Sequence, residues 1–115
     1  DNVTVIRWDL EDNDRARADH RTKGMVKAVI HKNGRILGAS MLAPMAGEII
    51  QPWILAIAKR QKIASLATMI APYPTYGEAS KRAAGNFFAA KLFSKPTQKL
   101  VRFLMKWWPP ACRII

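Results

Sequence analysis

The sequence predicts an α+β fold, an antiparallel β-sheet with two long helices packed on one face. Three observations carry that prediction. Val3 to Trp8 alternates in the period of a strand. Two further alternating, β-branched runs flank Asn33-Gly34, which marks a hairpin. Apolar residues then recur at helical spacing over 47–61 and again over 77–93.

A chain of 115 residues, half of them hydrophobic, is one domain with a real core. It is too short for a dinucleotide-binding fold plus a substrate domain, and it contains no G-x-G-x-x-G fingerprint. Its one cysteine, Cys112, excludes an internal disulfide framework and points to a reducing, cytoplasmic compartment. The balance of 19 Lys and Arg against 8 Asp and Glu attracts anionic partners, nucleic acid or a membrane surface. No apolar run approaches the roughly 20 residues of a spanning helix, and the start has no signal-peptide pattern.

In order, Asn2 to Leu10 reads as a strand with Val3, Val5 and Arg7 on one face and Thr4, Ile6 and Trp8 on the other. Glu11 to Lys23 is highly charged and reads as a solvated loop or irregular edge with room for one helical turn; His20 is a surface histidine within it. Met25–His31 and Arg35–Leu42 form the hairpin, closed by a type I′ turn at Asn33-Gly34. His31 has no second ligand at metal spacing. Gly38 marks a close backbone approach or a bulge.

Pro44 to Gly47 breaks the sheet, and a helix follows from Gly47 to Gln61, with Ile50, Trp53, Ile54 and Ile57 facing a core. Pro52 sits early, where a missing amide costs least. Glu48 near the N-terminus suits the helix dipole or a subunit contact, and Lys59, Arg60 and Lys62 close the helix. Ile63 to Ile70 is ambiguous between strand and helical turn. The second long helix, Gly77 to Phe93, carries an apolar stripe of Ala83, Ala84, Phe87 and Phe88, and its small-residue face (Ala79, Ala83, Ala90) allows close packing.

Between the helices lies Ala71 to Glu78, A-P-Y-P-T-Y-G-E. Pro72, Pro74 and Gly77 make it a stiff loop, and the prolines hold Ala71 and Tyr73 extended. Thr75 and Glu78 have capping-box spacing. The loop therefore presents a fixed aromatic hydroxyl and then hands over to a helix. Tyr73 could equally pack within the loop and Glu78 equally close the cap, and a cap would itself fix the carboxylate in space.

Tyr73-Pro74-Thr75-Tyr76-Gly77-Glu78 resembles the His-Pro-Thr-x-x-Glu signature of the C-terminal dimerisation domain of FAD-dependent pyridine nucleotide-disulfide oxidoreductases. That family includes dihydrolipoamide dehydrogenase, glutathione reductase and mercuric reductase. Asp14-Arg15-Ala16, Gly24-Met25-Val26-Lys27, Gly34-Arg35-Ile36-Leu37-Gly38 and Ala46-Gly47-Glu48 match it in the same order, so the resemblance covers Val3 to Phe88. It implies a homodimer in which the loop histidine reaches the redox dithiol of the partner subunit as general base, oriented by the glutamate. Mapped onto this chain, the catalytic positions are Tyr73 and Glu78. A tyrosine ionises near pH 10, so Tyr73 is a proton or hydrogen-bond donor rather than a base. The resemblance also implies FAD and NAD(P) bound by other domains of a longer protein, with this piece alone binding neither and catalysing nothing. It further suggests weak strand pairing at Ala16 to Asp19. Mercuric reductases receive metal on C-terminal cysteines, but Cys112 is single, so no metal role is expected.

Residues 1–94 read as the dimerisation domain and 95–115 as a basic tail, with the edge at Ser94-Lys95-Pro96. Thr97 to Trp108 reads as an amphipathic helix, with Leu100, Leu104, Trp107 and Trp108 against Lys99, Arg102 and Lys106, stopped by Pro109-Pro110. It suits a peripheral membrane contact, and also docking on the flavoprotein body or the twin subunit; nucleic acid fits least. The competing reading of the whole chain is a self-contained basic module for an anionic membrane surface or nucleic acid.

Overall fold

The hairpin forms the middle of the sheet. In the computed structural model, which describes residues 2–93 and 95–106, three antiparallel strands lie in the order β1 (Val3–Asp9), β2 (Met25–His31), β3 (Ile36–Leu42). Val3 pairs with His31 and Asp9 with Met25, so β1 and β2 are matched along their whole length. Alternation decides the faces. Ile6, Val26, Ala28, Ile30 and Ile36 are buried, whereas Val3, Val5, Lys27 and Ser40 are exposed.

The turn is not the expected type I′. Gly34 alone is left-handed, at φ 90°, and Asn33 keeps a negative φ. The Gly34 N–H donates to the His31 carbonyl at 2.8 Å and the His31 N–H to the Arg35 carbonyl at 2.9 Å. This is a three-residue loop ending in a left-handed glycine, so only one position needs positive φ. The glycine at 38 belongs to a bulge. Val29 faces Gly38 but Ile30 faces Ile36, which leaves Leu37 over, and a Cβ on Gly38 would meet nothing within 4 Å.

Gly24 is different. It holds φ 148°, and a Cβ there would overlap the Leu42 carbonyl and press on the Leu10 side chain. Its own carbonyl accepts the Leu10 N–H at 3.0 Å. The chain can re-enter the sheet beside β3 only because this residue has no side chain.

The charged stretch after β1 carries more order than its composition suggests. A 3₁₀ turn, Leu10–Asp12, leads into the helix α1, Asp14–Ala18. The expected weak strand pairing at Ala16 to Asp19 is therefore replaced by helix. The Asn13 side chain accepts the Ala16 N–H at 3.0 Å, capping α1 and fixing the helical choice.

The predicted helix from Gly47 to Gln61 is two helices, α2 (Ala46–Ile49) and α3 (Gln51–Ala58). Pro52 lies in the first turn of α3, where its missing N–H costs nothing, and it starts a new helix rather than bending an old one. Trp53 and Ala56 are buried, but Ile54 (51% exposed) and Ile57 (37%) face outward, contrary to the periodicity. A helix of 8 residues offers one narrow face to the core, and Trp53 fills it. Lys59 and Arg60 lie just past its end, with Arg60 left-handed at φ 52°. The ambiguous stretch is α4, Ile63–Thr68, tied to the hairpin by the Ile63 N–H on the Gly34 carbonyl at 2.8 Å.

The long helix α5, Glu78–Leu92, crosses β1 and β2 with Ala79, Ser80, Ala83, Ala84 and Phe87 buried. Alanines let its backbone approach the sheet closely. Phe88 is 41% exposed and Ala90 is exposed, so the stripe is narrower than expected. Phe88 instead packs edge-on against Phe87 at 5.3 Å. Deep in the core, the Trp53 indole Nε1–H donates to Ser80 Oγ at 2.9 Å, joining α3 to α5. The fold is α+β, with one long helix and the shorter α3 and α4 completing the core around the sheet. The tail helix α6, Lys95–Lys106, is exposed along its length except at Thr97. Its expected continuation through Trp107 and Trp108, the Pro109-Pro110 stop and Cys112 lie outside the described residues.

Candidate functional site

The loop between α4 and α5 is held by α1. Asn13, capping α1 with its side-chain oxygen, donates from Nδ2 to the Thr75 carbonyl at 3.1 Å. One buried amide (3% exposed) thus sets both the helix and the loop. Asp14 accepts the Tyr73 hydroxyl at 2.8 Å, and Asp19 accepts the Tyr76 hydroxyl at 2.9 Å. Thr75 Oγ1 donates to the Pro72 carbonyl at 2.6 Å, and the Tyr73-Pro74 peptide is cis. The two tyrosines differ in burial. Tyr76 is 6% exposed and part of the core, whereas Tyr73 is 68% exposed and projects from it.

These contacts shift the titration of Tyr73, Tyr76 and Asp19. Hydrogen bonding to Asp14 raises the Tyr73 pKa above its ordinary value near 10, and the Asp14 and Glu78 charges push in the same direction. Burial and the bond to Asp19 raise Tyr76. Asp19 is lowered by its bonds to Arg15, at 2.9 Å, and to Tyr76. At neutral pH the Tyr73 hydroxyl therefore keeps its proton, which suits a donor and opposes a base.

Tyr73 and Glu78 take different hydrogen-bond partners. The expected capping box does not form: Gly77 occupies the cap position with no side-chain bond, and Thr75 is turned back to Pro72. The Glu78 carboxylate is instead paired with Arg82, Oε1 lying 2.9 Å from Nη2 and 3.1 Å from Nε. An arginine one turn along the helix outcompetes a backbone amide for the charge. Glu78 lines a groove of about 440 Å³ with Trp8, Ala67, Ala71, Lys81, Arg82, Gly85 and Asn86. The carboxylate holding Tyr73 is Asp14.

Asn13, Asp14 and Asp19 were not singled out as site residues by their sequence. They sit in a run that reads as solvated surface, and their role depends on contacts across 57 to 62 positions of chain. The signal that was available is an Asn directly before Asp-Arg-Ala, an N-cap ahead of a short helix. His31 belongs to the hairpin turn, its Nδ1 accepting the Asn33 N–H at 3.3 Å. Among the described residues, no three His, Cys, Asp or Glu side chains gather as a metal site. The Gly-rich fingerprint of a dinucleotide-binding turn is missing from the sequence.

A sheet backed by one long helix, with a proline-rich loop projecting a tyrosine, frames the comparison with known proteins. Residues 1–84 match the model of the pyridine nucleotide-disulphide oxidoreductase dimerisation domain. The chain belongs to that family and is a dimerisation domain of such oxidoreductases. It is 42% identical over 79 residues to a mercuric reductase of Serratia marcescens, covering 68% of this chain and 17% of that protein. Among solved structures, LpdA of Mycobacterium tuberculosis superposes with a TM-score of 0.70 at 29% identity, over 74% of this chain and 19% of the other. The HOCl-induced flavoprotein disulfide reductase RclA of Escherichia coli superposes with a TM-score of 0.68 at 25% identity, over 72% and 19%. The chain thus spans less than a fifth of the length of these relatives.

Proposed function

We propose that this domain forms the two-fold contact of a homodimeric oxidoreductase dependent on FAD and NAD(P), and that its Tyr73 loop completes the active site of the partner subunit. The observation that carries the reading is the exposed Tyr73 hydroxyl, fixed by Asp14 from a separate element while its neighbours Thr75 and Tyr76 are tied to Asn13 and Asp19. A side chain that serves only its own core does not need to be held this way while 68% exposed. FAD and NAD(P) would be bound by other domains, a reading supported by the lack of a Gly-rich dinucleotide fingerprint in this sequence. Tyr73 acts as hydrogen-bond donor to a thiolate of the partner's redox dithiol, turning its single O–H from Asp14 to the sulfur when the thiolate is present. Glu78, paired with Arg82, acts through its charge on the Tyr73 pKa. Exposed apolar residues on the outer sheet face and α3, Val3, Val5, Ile54 and Leu55, supply area for burial against other surfaces of the assembly.

The test uses the whole protein that carries this domain. Light scattering is expected to return twice the subunit mass. Tyr73→Phe is expected to leave that mass unchanged and lower kcat by about a hundredfold, with KM little altered. A monomeric enzyme overturns the two-fold contact, and unchanged kcat in Tyr73→Phe overturns the role of the hydroxyl.

A further inference from the structure

The described helix α6 lies wholly beyond the residues 1–84 that match the dimerisation domain, and its surface is ordered by charge. Lys95, Lys99, Arg102 and Lys106 recur at helical spacing and fall on a single stripe; α6 contains no acidic residue. Leu100, Val101, Phe103, Leu104 and Met105 occupy the other sides, and all of them are exposed. At its start the helix is fastened by Thr97 Oγ1 to the Lys91 carbonyl at 3.1 Å and Gln98 Nε2 to the Phe93 carbonyl at 3.1 Å. Leu92 and Phe93, exposed at the end of α5, extend the apolar surface toward it, and a shallow cleft between them is lined by Gln98, Val101 and Arg102. In water this arrangement is unfavourable, because five large apolar side chains stay wet.

From this segregation we infer that α6 is a membrane-surface anchor, taking an anionic bilayer as its partner. Three features select that occupant. The cations form one stripe flanking a broad apolar face, so the apolar side can sink below the headgroups while the Lys and Arg stems snorkel to the phosphates. The chain as a whole carries a formal charge of +11, which draws it to a negative leaflet before the helix inserts. Nucleic acid would use the cations but gains nothing from a face of Leu, Val, Phe and Met. No described helix is long and apolar enough to cross a membrane, so α6 lies in the interface and does not span it.

The experiment is co-sedimentation of the whole protein with vesicles of phosphatidylcholine alone and of phosphatidylcholine with phosphatidylserine, at low and high salt. Partitioning is expected to be at least about tenfold stronger on the phosphatidylserine vesicles and to collapse in high salt. Both Leu100→Glu with Leu104→Glu, and Lys99→Gln with Arg102→Gln, are expected to lose about tenfold or more. Their unfolding midpoints should match the parent, since these side chains touch no core, and their mass by light scattering should remain that of the dimer. Leu104→Ile should bind as the parent does. Absence of vesicle binding, retention on single-stranded nucleic acid without vesicle binding, or loss in the charge variant alone would each overturn the anchor. None of those outcomes bears on the Tyr73 loop, so the two readings fail separately.

Discussion

Replacing Asn13 separates the helix from the loop that it holds. Asn13→Ala removes the cap of α1, typically worth about 1 kcal/mol. It also removes the donor to the Thr75 carbonyl, worth about another 1 kcal/mol where the site stays shielded from water. The expected loss is about 2 kcal/mol, a fall in midpoint of about 10 °C for a domain of this size. Asn13→Asp is the informative partner. It is isosteric and keeps an acceptor for the Ala16 N–H, so the cap survives, but it loses Nδ2 and sets a carboxylate against the Thr75 carbonyl. Its loss should be at least as large as the loop bond alone, about 1 kcal/mol. The loop should also loosen, weakening the Tyr73 to Asp14 bond and bringing the Tyr73 pKa back toward its ordinary value. Urea unfolding at fixed protein concentration reads the first effect, and tyrosinate absorbance during an alkaline titration reads the second. If Asn13→Asp matched the parent in both, the Asn13 to Thr75 bond would contribute nothing, and α1 could not be what positions the loop.

Two further perturbations test the core and the charges. Ser80→Ala leaves the indole Nε1–H of Trp53 buried without its partner, and calorimetry or urea unfolding should show a loss of about 1–3 kcal/mol; a neutral result would mean that water reaches the indole. The pH dependence of stability is set by the shifts around the loop. Asp19 is lowered in the folded state, so its contribution is present above the unfolded carboxylate pKa of about 3.9 and is lost as pH falls through the lower folded value. Tyr73 and Tyr76 are raised, so theirs is present below about pH 10 and is lost as pH rises through the higher folded values. Asp19→Asn should flatten the acid limb of stability against pH, and an unchanged acid limb would remove Asp19 from the account.

The sheet was legible because its rules are local. Alternation sets the faces of a strand whatever lies above it, and Asn33-Gly34 marks the reversal even though only Gly34 adopts positive φ. The site was legible in part. Tyr73 could be recognised as displayed from two flanking prolines, and its donor character from the chemistry of a phenol. Its partner could not, because the choice between Asp14 and Glu78 is a matter of distance across the fold. Glu78 was claimed by Arg82 four residues on, while Asp14 was carried to the loop by a helix whose cap also binds that loop.

The same division runs through the whole chain. By itself the sequence determined the features that covalent geometry and short-range pattern dictate: the strands, the hairpin, the stiff loop, the existence of α5, and the split of α6 into a cationic stripe and an apolar face. Tertiary structure decided the features that depend on competition for burial and for partners. Trp53 rather than Ile54 or Ile57 entered the core because the indole could fill it and find Ser80. Gly24 became irreplaceable through the close passage of Leu42 and Leu10. A polar run that looked solvated became the support of Tyr73, because hydrogen bonds, two of them half-buried and one exposed, are made between segments that only folding brings together.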